Sequence, residues 1–327
     1  MTDRELSAVP FDMSSFEPAP IVLLVYNRPD HTRKTLTALS ENFLADKSRL
    51  IVFADGPKKQ ASSNQLDLIR QTREVLVSKK WCKEVEIHEA DENKGLARSV
   101  TDGVSSVVEK YGKAIILEDD ILTSRGFLTF MNQALEFYED VPEVMQIAGY
   151  FLPVKNRHEL PSTFFYNVNS CWGWATWQRA WKEYREDAAQ LLTDVKGSKS
   201  FSKRNFNKGQ GDNFHQQLID NVEGRIHTWA VKWHASMFLK GGFCLHPSTT
   251  FVRNIGIDGS GTYSGFINFG LNSAFEDGFE YVFSRELIES EQAIDKVSRL
   301  HNRNIFNLIR NAKRWLKLRC LRTVVKN

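Results

Sequence analysis

Three consecutive carboxylates, Glu118-Asp119-Asp120, follow the apolar run Ala114-Ile115-Ile116-Leu117. Neighbouring carboxylates repel one another, and a divalent cation relieves that repulsion. Mg2+ or Mn2+ prefers oxygen ligands, commonly one or two carboxylates completed by substrate phosphates. At the end of a central strand the triplet reads as a cation and phosphate site. In isolation it would read as a solvated acidic turn. Arg28 carries a planar fork that matches a phosphate. Asp55, in Phe53-Ala54-Asp55-Gly56-Pro57, has a carboxylate suited to a nucleobase, although Asp-Gly-Pro is also ordinary turn chemistry. Lys94 and Arg98 flank Gly95, where the backbone can approach a ligand as a helix begins; surface salt bridges would account for the two cations equally well. Trp172 and Trp174, in Cys171-Trp172-Gly173-Trp174-Ala175-Thr176-Trp177, offer flat faces to an acceptor sugar or to a core. Residues 253–265 are glycine-rich, as in a loop that closes over a substrate or one that is merely exposed.

These residues need a scaffold, and the chain alternates accordingly. Ile21 to Tyr26 is a continuous apolar run, the pattern of a strand buried on both faces. Asp30 is placed to cap a helix running to about Leu44. Strands are expected at Leu50–Ala54, Val85–His88, Ala114–Leu117 and Val144–Ala148. Helices are expected at 64–78, Gly95–Lys110 and Gly126–Tyr138. Such alternation predicts an α/β fold with a mostly parallel central sheet flanked by helices. Ligands then bind beyond the carboxyl ends of the strands, where Asn27-Arg28, Asp55, Asp91 to Lys94 and the triplet all fall. After Tyr150 aromatics become dense and periodicity weakens, which reads as an acceptor-side half packed on the sheet.

The 327 residues are 42% hydrophobic and 25% charged, ordinary for a globular protein with a substantial core. Cys82, Cys171, Cys244 and Cys320 form no CxxC pair, and no N-x-[ST] acceptor occurs, so a reducing, cytoplasmic setting is expected. The leader has no long apolar run, and no stretch is long enough to span a bilayer. The net charge of +3 conceals an asymmetry: residues 296–327 hold ten Lys or Arg and no acid, against 33 basic and 40 acidic residues elsewhere. In the tail, apolar positions 305, 308, 309, 312, 316 and 320 form a helical stripe. A basic amphipathic helix there would lie on a membrane surface or close the domain with a solvated face. Nothing in the body suggests nucleic-acid binding. No GxGxxG follows an early strand, which disfavours a dehydrogenase. Tyr26-Asn27-Arg28-Pro29 is not the glycine-rich phosphate loop that a nucleotidyltransferase would need.

Over roughly residues 20 to 265 the chain resembles the GT-A glycosyltransferases of the N-acetylglucosaminyltransferase I type and their bacterial relatives. The residues that carry the resemblance are Tyr26-Asn27-Arg28 after the first strand, Asp55 after the second, and Glu118-Asp119-Asp120 followed by Ile121-Leu122 and Phe127. Trp172-Gly173-Trp174 with Trp181, and Pro247 with Asn254-Ile255-Gly256, complete the set. The resemblance implies Mn2+ or Mg2+ on Asp120, a donor ribose on Asp119, the donor sugar on Glu118, the base on Asp55 and phosphates on Arg28. It implies an inverting transfer from a nucleotide-sugar donor, UDP-linked by expectation, to a glycan or lipid-linked acceptor in surface polysaccharide synthesis. A non-catalytic protein that binds nucleotide sugar or glycan is the alternative. With the composition of the two ends, the expected layout is a leader (1–18), a transferase domain (19–265, donor half 19–150 and acceptor half 151–265), an extension (266–298) and a basic amphipathic helix (299–327), for which contact with the inner face of the membrane is one of the two readings above. One departure stands out: the family's Trp-Asp-Asp-Trp base segment is here Trp229-Ala230-Val231-Lys232-Trp233, with no acid. An inverting transfer needs a group to take the acceptor's proton. His227 and then Asp212 are the first candidates, with Asp220 and Glu223 nearby.

Overall fold

The computed structural model describes residues 16–211, 213–256 and 280–302. Four strands, β1 (Ile21–Val25), β2 (Arg49–Ala54), β3 (Glu84–Glu89) and β4 (Lys113–Glu118), alternate with α1 (Pro29–Ser40), α2 (Ser63–Val77) and α3 (Leu96–Tyr111). Then come β5 (Ile121–Thr123), α4 (Phe127–Phe137), β6 (Val144–Ala148), β7 (Thr163–Phe165) and β8 (Trp174–Trp177). They are followed by α5 (Gln178–Trp181), α6 (Ala188–Gly197), α7 (Lys203–Asn207), α8 (Asn213–Val222), α9 (Ala230–Lys240), β9 (Phe243–Pro247) and β10 (Val252–Asn254).

Eight strands form one sheet in the order β3-β2-β1-β4-β8-β6-β9-β7, and β5 pairs with β10 in a separate ribbon. The pairs β1/β2, β2/β3, β1/β4 and β6/β9 are parallel. β8 runs antiparallel to both β4 and β6, and β7 antiparallel to β9. The sheet is therefore mainly parallel, as expected. Order reverses between β1 and β4, since β2 lies on the far side of β1 while β4 continues the sheet the other way. In sheets of this kind ligands bind at such a switch point, beyond the carboxyl ends of the strands.

β1 reads as one apolar run because both of its faces are covered. Ile21, Leu23 and Val25 join a core with Leu36 and Leu39 of α1 and Phe130 of α4. Val22 and Leu24 join the opposite core with Val100 and Val104 of α3 and Trp233 of α9. Each such side chain contributes roughly 1.5–3 kcal/mol by burial. A third core gathers α6, α7, α8 and α9 with Phe164, Tyr166, Ala293, Ile294 and Val297.

Several expectations are corrected. Asp30 does not cap α1: Arg28 occupies the N-cap without a side-chain cap bond, Pro29 opens the helix, and Asp30 sits in the first turn. The helix ends at Ser40 rather than Leu44. The second half is no separate layer on the sheet, because β8, β9 and β7 are members of it. The extension is tied in as well. Lys208 Nζ bonds Glu289, with side chains only 9% and 18% exposed, and Lys296 Nζ lies 2.7 Å from Glu159 Oε2. A helical run at 291–302 crosses the boundary expected at 298/299. Residues 303–327, which hold most of the expected basic helix, lie outside the described residues. Among the described residues no helix is long and apolar enough to cross a membrane. Cys82, Cys171 and Cys244 are free thiols.

Candidate functional site

The site is built at the switch point, from the ends of β1 and β4. The chain leaves β1 through Tyr26 and Asn27 and turns into α1 at Arg28, whose carbonyl accepts from Thr32 N at 2.9 Å. Arg28 is thereby aimed across the β1/β4 boundary at the triplet. Its Nη1 donates to Asp120 Oδ2 at 2.8 Å and lies 3.6 Å from Asp119 Oδ1. α1 also fixes the triplet's backbone, for the buried Thr35 hydroxyl donates to the Asp119 carbonyl at 2.8 Å.

Beyond the triplet, the ribbon of β5 and β10 returns a distant segment to the same place. Ile255 N donates to the Asp120 carbonyl at 2.9 Å, and His31 Nε2 lies 3.3 Å from the Ile255 carbonyl. Gly256 then lies directly on the Arg28–Asp120 pair. A Cβ at that position would stand 2.0 Å from Asp120 Oδ2 and 3.0 Å from Arg28 Nη1. The glycine is required by space.

The electrostatics of this cluster are expensive. Burial, then Asp120 and Asp119, push the Glu118 carboxyl up to about 8, with Arg28 opposing. Burial and Asp120 push Asp119 up to about 7, against Arg28 and a hydrogen bond from the Tyr26 backbone. One guanidinium does not balance three carboxylates. Asp120 Oδ1 is moreover buried with no hydrogen-bond partner. A buried, unpaired carboxylate oxygen is costly to leave that way. A divalent cation fits this deficit of positive charge, and Asp120 would hold the ion through its carboxylate. Among the described residues no group of three His, Cys, Asp or Glu could hold a metal. The remaining ligands would therefore have to come from elsewhere, as substrate phosphates do for Mg2+.

Asp55 is corrected. Its Oδ1 accepts from Gly56 N and Lys94 N, both at 2.8 Å, and its Oδ2 from Asn93 Nδ2 at 2.8 Å and Gly95 N at 3.0 Å. Four bonds fill a carboxylate's acceptor positions, so none is left for a nucleobase. Asp55 instead latches the end of β2 to the loop that opens α3. Gly95 enters that helix at φ +78°, a backbone angle that glycine adopts without penalty. Lys94 and Arg98 turn to Asp102, at 3.4 and 3.6 Å, in exposed ion pairs. The surface-salt-bridge reading holds for both in this structure. Asn27 is half-buried beside Arg28.

Trp174 is also corrected. It is fully buried on β8, opposite Ile116, and stacks on Trp229 at 5.2 Å. No face remains for an acceptor sugar. Trp172 is half-buried and packs on Tyr150 at 4.5 Å. His227 is exposed, in the connection between α8 and α9 two residues before Trp229. Asp212 and residues 257–265 of the glycine-rich loop lie outside the described residues. Asp220 pairs with Arg225, and Glu223 also pairs with Arg225.

Sequence reasoning missed Cys171, Thr35 and the pressure of Gly256 on Asp120. Cys171 lies within electrostatic reach of Glu118 and Asp120, and burial, then Glu118, push its thiol up to about 12. Its place beside Trp172 was the one available signal.

No family model matches the chain, and no curated protein does. Among solved structures, the chain is similar to an active-site mutant of LgtC (8% identity, 67% of this chain, 70% of that one, TM-score 0.36). It is similar to S. aureus TarS (13%, 54% of this chain, 29% of that one, TM-score 0.29). It is similar also to a UDP-glucose pyrophosphorylase complexed with UDP-glucose (8%, 72% and 94%, TM-score 0.36). At TM-scores this low, the likenesses carry neither substrate nor mechanism to this chain.

Proposed function

We propose that this protein is a glycosyltransferase that moves a sugar from a nucleotide-diphosphate donor to a hydroxyl of a glycan or lipid-linked acceptor, with inversion, in surface polysaccharide synthesis. The observation that carries the reading is Asp120: one oxygen on Arg28, the other buried and unpaired, at the switch point of a mainly parallel sheet. A site with one fork for a phosphate and one bare carboxylate oxygen suits a diphosphate and its counter-ion. Mn2+ or Mg2+, when held by Asp120, would supply neutralisation of the departing diphosphate.

The chain's own residues do the rest. Arg28 binds a phosphate oxygen and orients the diphosphate. Asp119 and Glu118 lie beside it to receive hydroxyls of the ribose and sugar. Asp55 acts at one remove by fixing the Asn93–Gly95 backbone at the rim, and Trp172 is the aromatic surface left for an acceptor. His227, with Asp212 as the second choice, would take the acceptor proton. A UDP-linked donor and peripheral contact of residues 299–327 with the cytoplasmic face of a membrane belong to the same proposal.

A second reading, a non-catalytic nucleotide-sugar binder, draws support from one observation. Trp229 and Trp233 are buried, and the residues between them offer no carboxylate as a base. Thermal shift with UDP-sugars, with and without Mn2+, tests the site. The wild type is expected to show a cation-dependent shift and Asp120→Ala to lose it; a shift retained by Asp120→Ala would overturn the assignment. Cation-dependent donor hydrolysis separates the enzyme from the binder.

A further inference from the structure

Arg28 and a divalent cation would want the same carboxylate. Nη1 of Arg28 already bonds Asp120 Oδ2 at 2.8 Å and lies 3.6 Å from Asp119 Oδ1. The guanidinium side chain is only 15% exposed, and Gly256 closes over the pair. Arg28 is thus the counter-ion of the triplet in this structure. A doubly charged ion on Asp120 would sit a few ångströms from that guanidinium in a partly dehydrated space, where like charges repel strongly. Tight binding of both to Asp120 at once is unfavourable.

We propose that Arg28 and the divalent cation exchange on Asp120. Without a diphosphate, Arg28 holds the carboxylate and keeps cation affinity low. A diphosphate, which rests on the donor-site reading above, draws the guanidinium onto its own oxygens. That frees Asp120 Oδ2 and adds phosphate ligands for the ion. Cation and diphosphate therefore bind cooperatively, and Arg28 is the residue that couples them. The coupling is reciprocal, so removing the competitor raises cation affinity in the absence of nucleotide.

The test is a Mn2+ titration without nucleotide, read from the electron paramagnetic resonance signal of the free ion. It compares the wild type with Arg28→Met, Arg28→Gln and Asp120→Asn. Both Arg28 variants are expected to bind Mn2+ about tenfold or more tightly than the wild type, and Asp120→Asn to lose the site. Gln keeps a donor to Asp120 without the charge, so it decides the matter if the Met variant does not fold. At saturating Mn2+, UDP is expected to bind the Arg28 variants more weakly than the wild type. Arg28 variants that bind Mn2+ no more tightly, while Asp120→Asn still removes it, overturn the exchange and leave the donor site standing. A wild type that binds no UDP at saturating Mn2+ overturns the donor site, and the exchange with it.

Discussion

Replacing Gly256 by alanine should break the Arg28–Asp120 pair while sparing the fold. The new methyl would stand 2.0 Å from Asp120 Oδ2 and 2.8 Å from its Cγ. A carbon–oxygen contact becomes comfortable near about 3.3 Å, so one partner must retreat by more than about 1 Å. The Gly256 backbone is held by the β5/β10 ribbon, by Ile255 N on the Asp120 carbonyl, and by Gly256 N on Asn254 Oδ1 at 2.7 Å. A carboxylate turning about its own bonds is the softer partner. Such a turn stretches the 2.8 Å bond to Arg28 beyond the distance at which it counts as a hydrogen bond. A charge-assisted bond is worth about 1.5–3 kcal/mol, or about ten- to a hundredfold in affinity. Because that bond is the one that holds a cation off Asp120, Mn2+ titrated without nucleotide should bind tighter by that factor, while the melting temperature stays within a few degrees of wild type. A Gly256→Ala protein that binds Mn2+ no more tightly than wild type would refute the reasoning.

Further expectations follow from other parts of the molecule. Asp55→Asn leaves two of four donors facing an NH2 group and should cost about 2–4 kcal/mol in urea denaturation; amide exchange at 93–95 should quicken, and unchanged protection there would remove the latch. Burial holds the His234 imidazole at about 4, below its ordinary value near 6.5, while Nε2 lies 2.8 Å from the Phe206 carbonyl. Its contribution is therefore intact above about 6.5 and fades as pH falls toward 4, by about 3 kcal/mol. Denaturation of wild type and His234→Gln across that range should differ in slope, and parallel slopes would dismiss the histidine as the cause. Residues 303–327 carry eight Lys or Arg and no acid, so anionic vesicles should float the full chain but not one ending at Asn302. Equal flotation would free the tail of any membrane role. A cut at Asp295 would be the wrong control, because Val297 and Lys296 beyond it are packed and paired.

The first half of the fold was legible because its strands are buried on both faces and its helices alternate with them. β1 to β4, α1 to α4 and β6 all fall within a few residues of their expected places, and the triplet and Arg28 meet as the alternation requires. The second half was not legible. Its strands are short and aromatic, and their partners lie far away in the chain, as with Trp174 opposite Ile116. Residue type alone also misjudged function. A carboxylate at a strand end signals a site, but whether its oxygens are spent depends on neighbours such as Lys94 N and Gly95 N, some forty residues on. Gly256 gave no hint of its task, because nothing local records that it lies on Asp120.

β8 covers the outer edge of β4 and separates it from β6. A chain emerging from the ribosome therefore displays the backbone of β4 unpaired on that side until Trp174–Trp177 arrives, and that of β6 until Phe243–Pro247 follows. Naked strand margins of this kind invite other chains. Amputation just after Gly149 would make that transient exposure permanent, so the triplet-bearing half is expected to precipitate as a lone fragment and to need its distant sequence as a built-in chaperone.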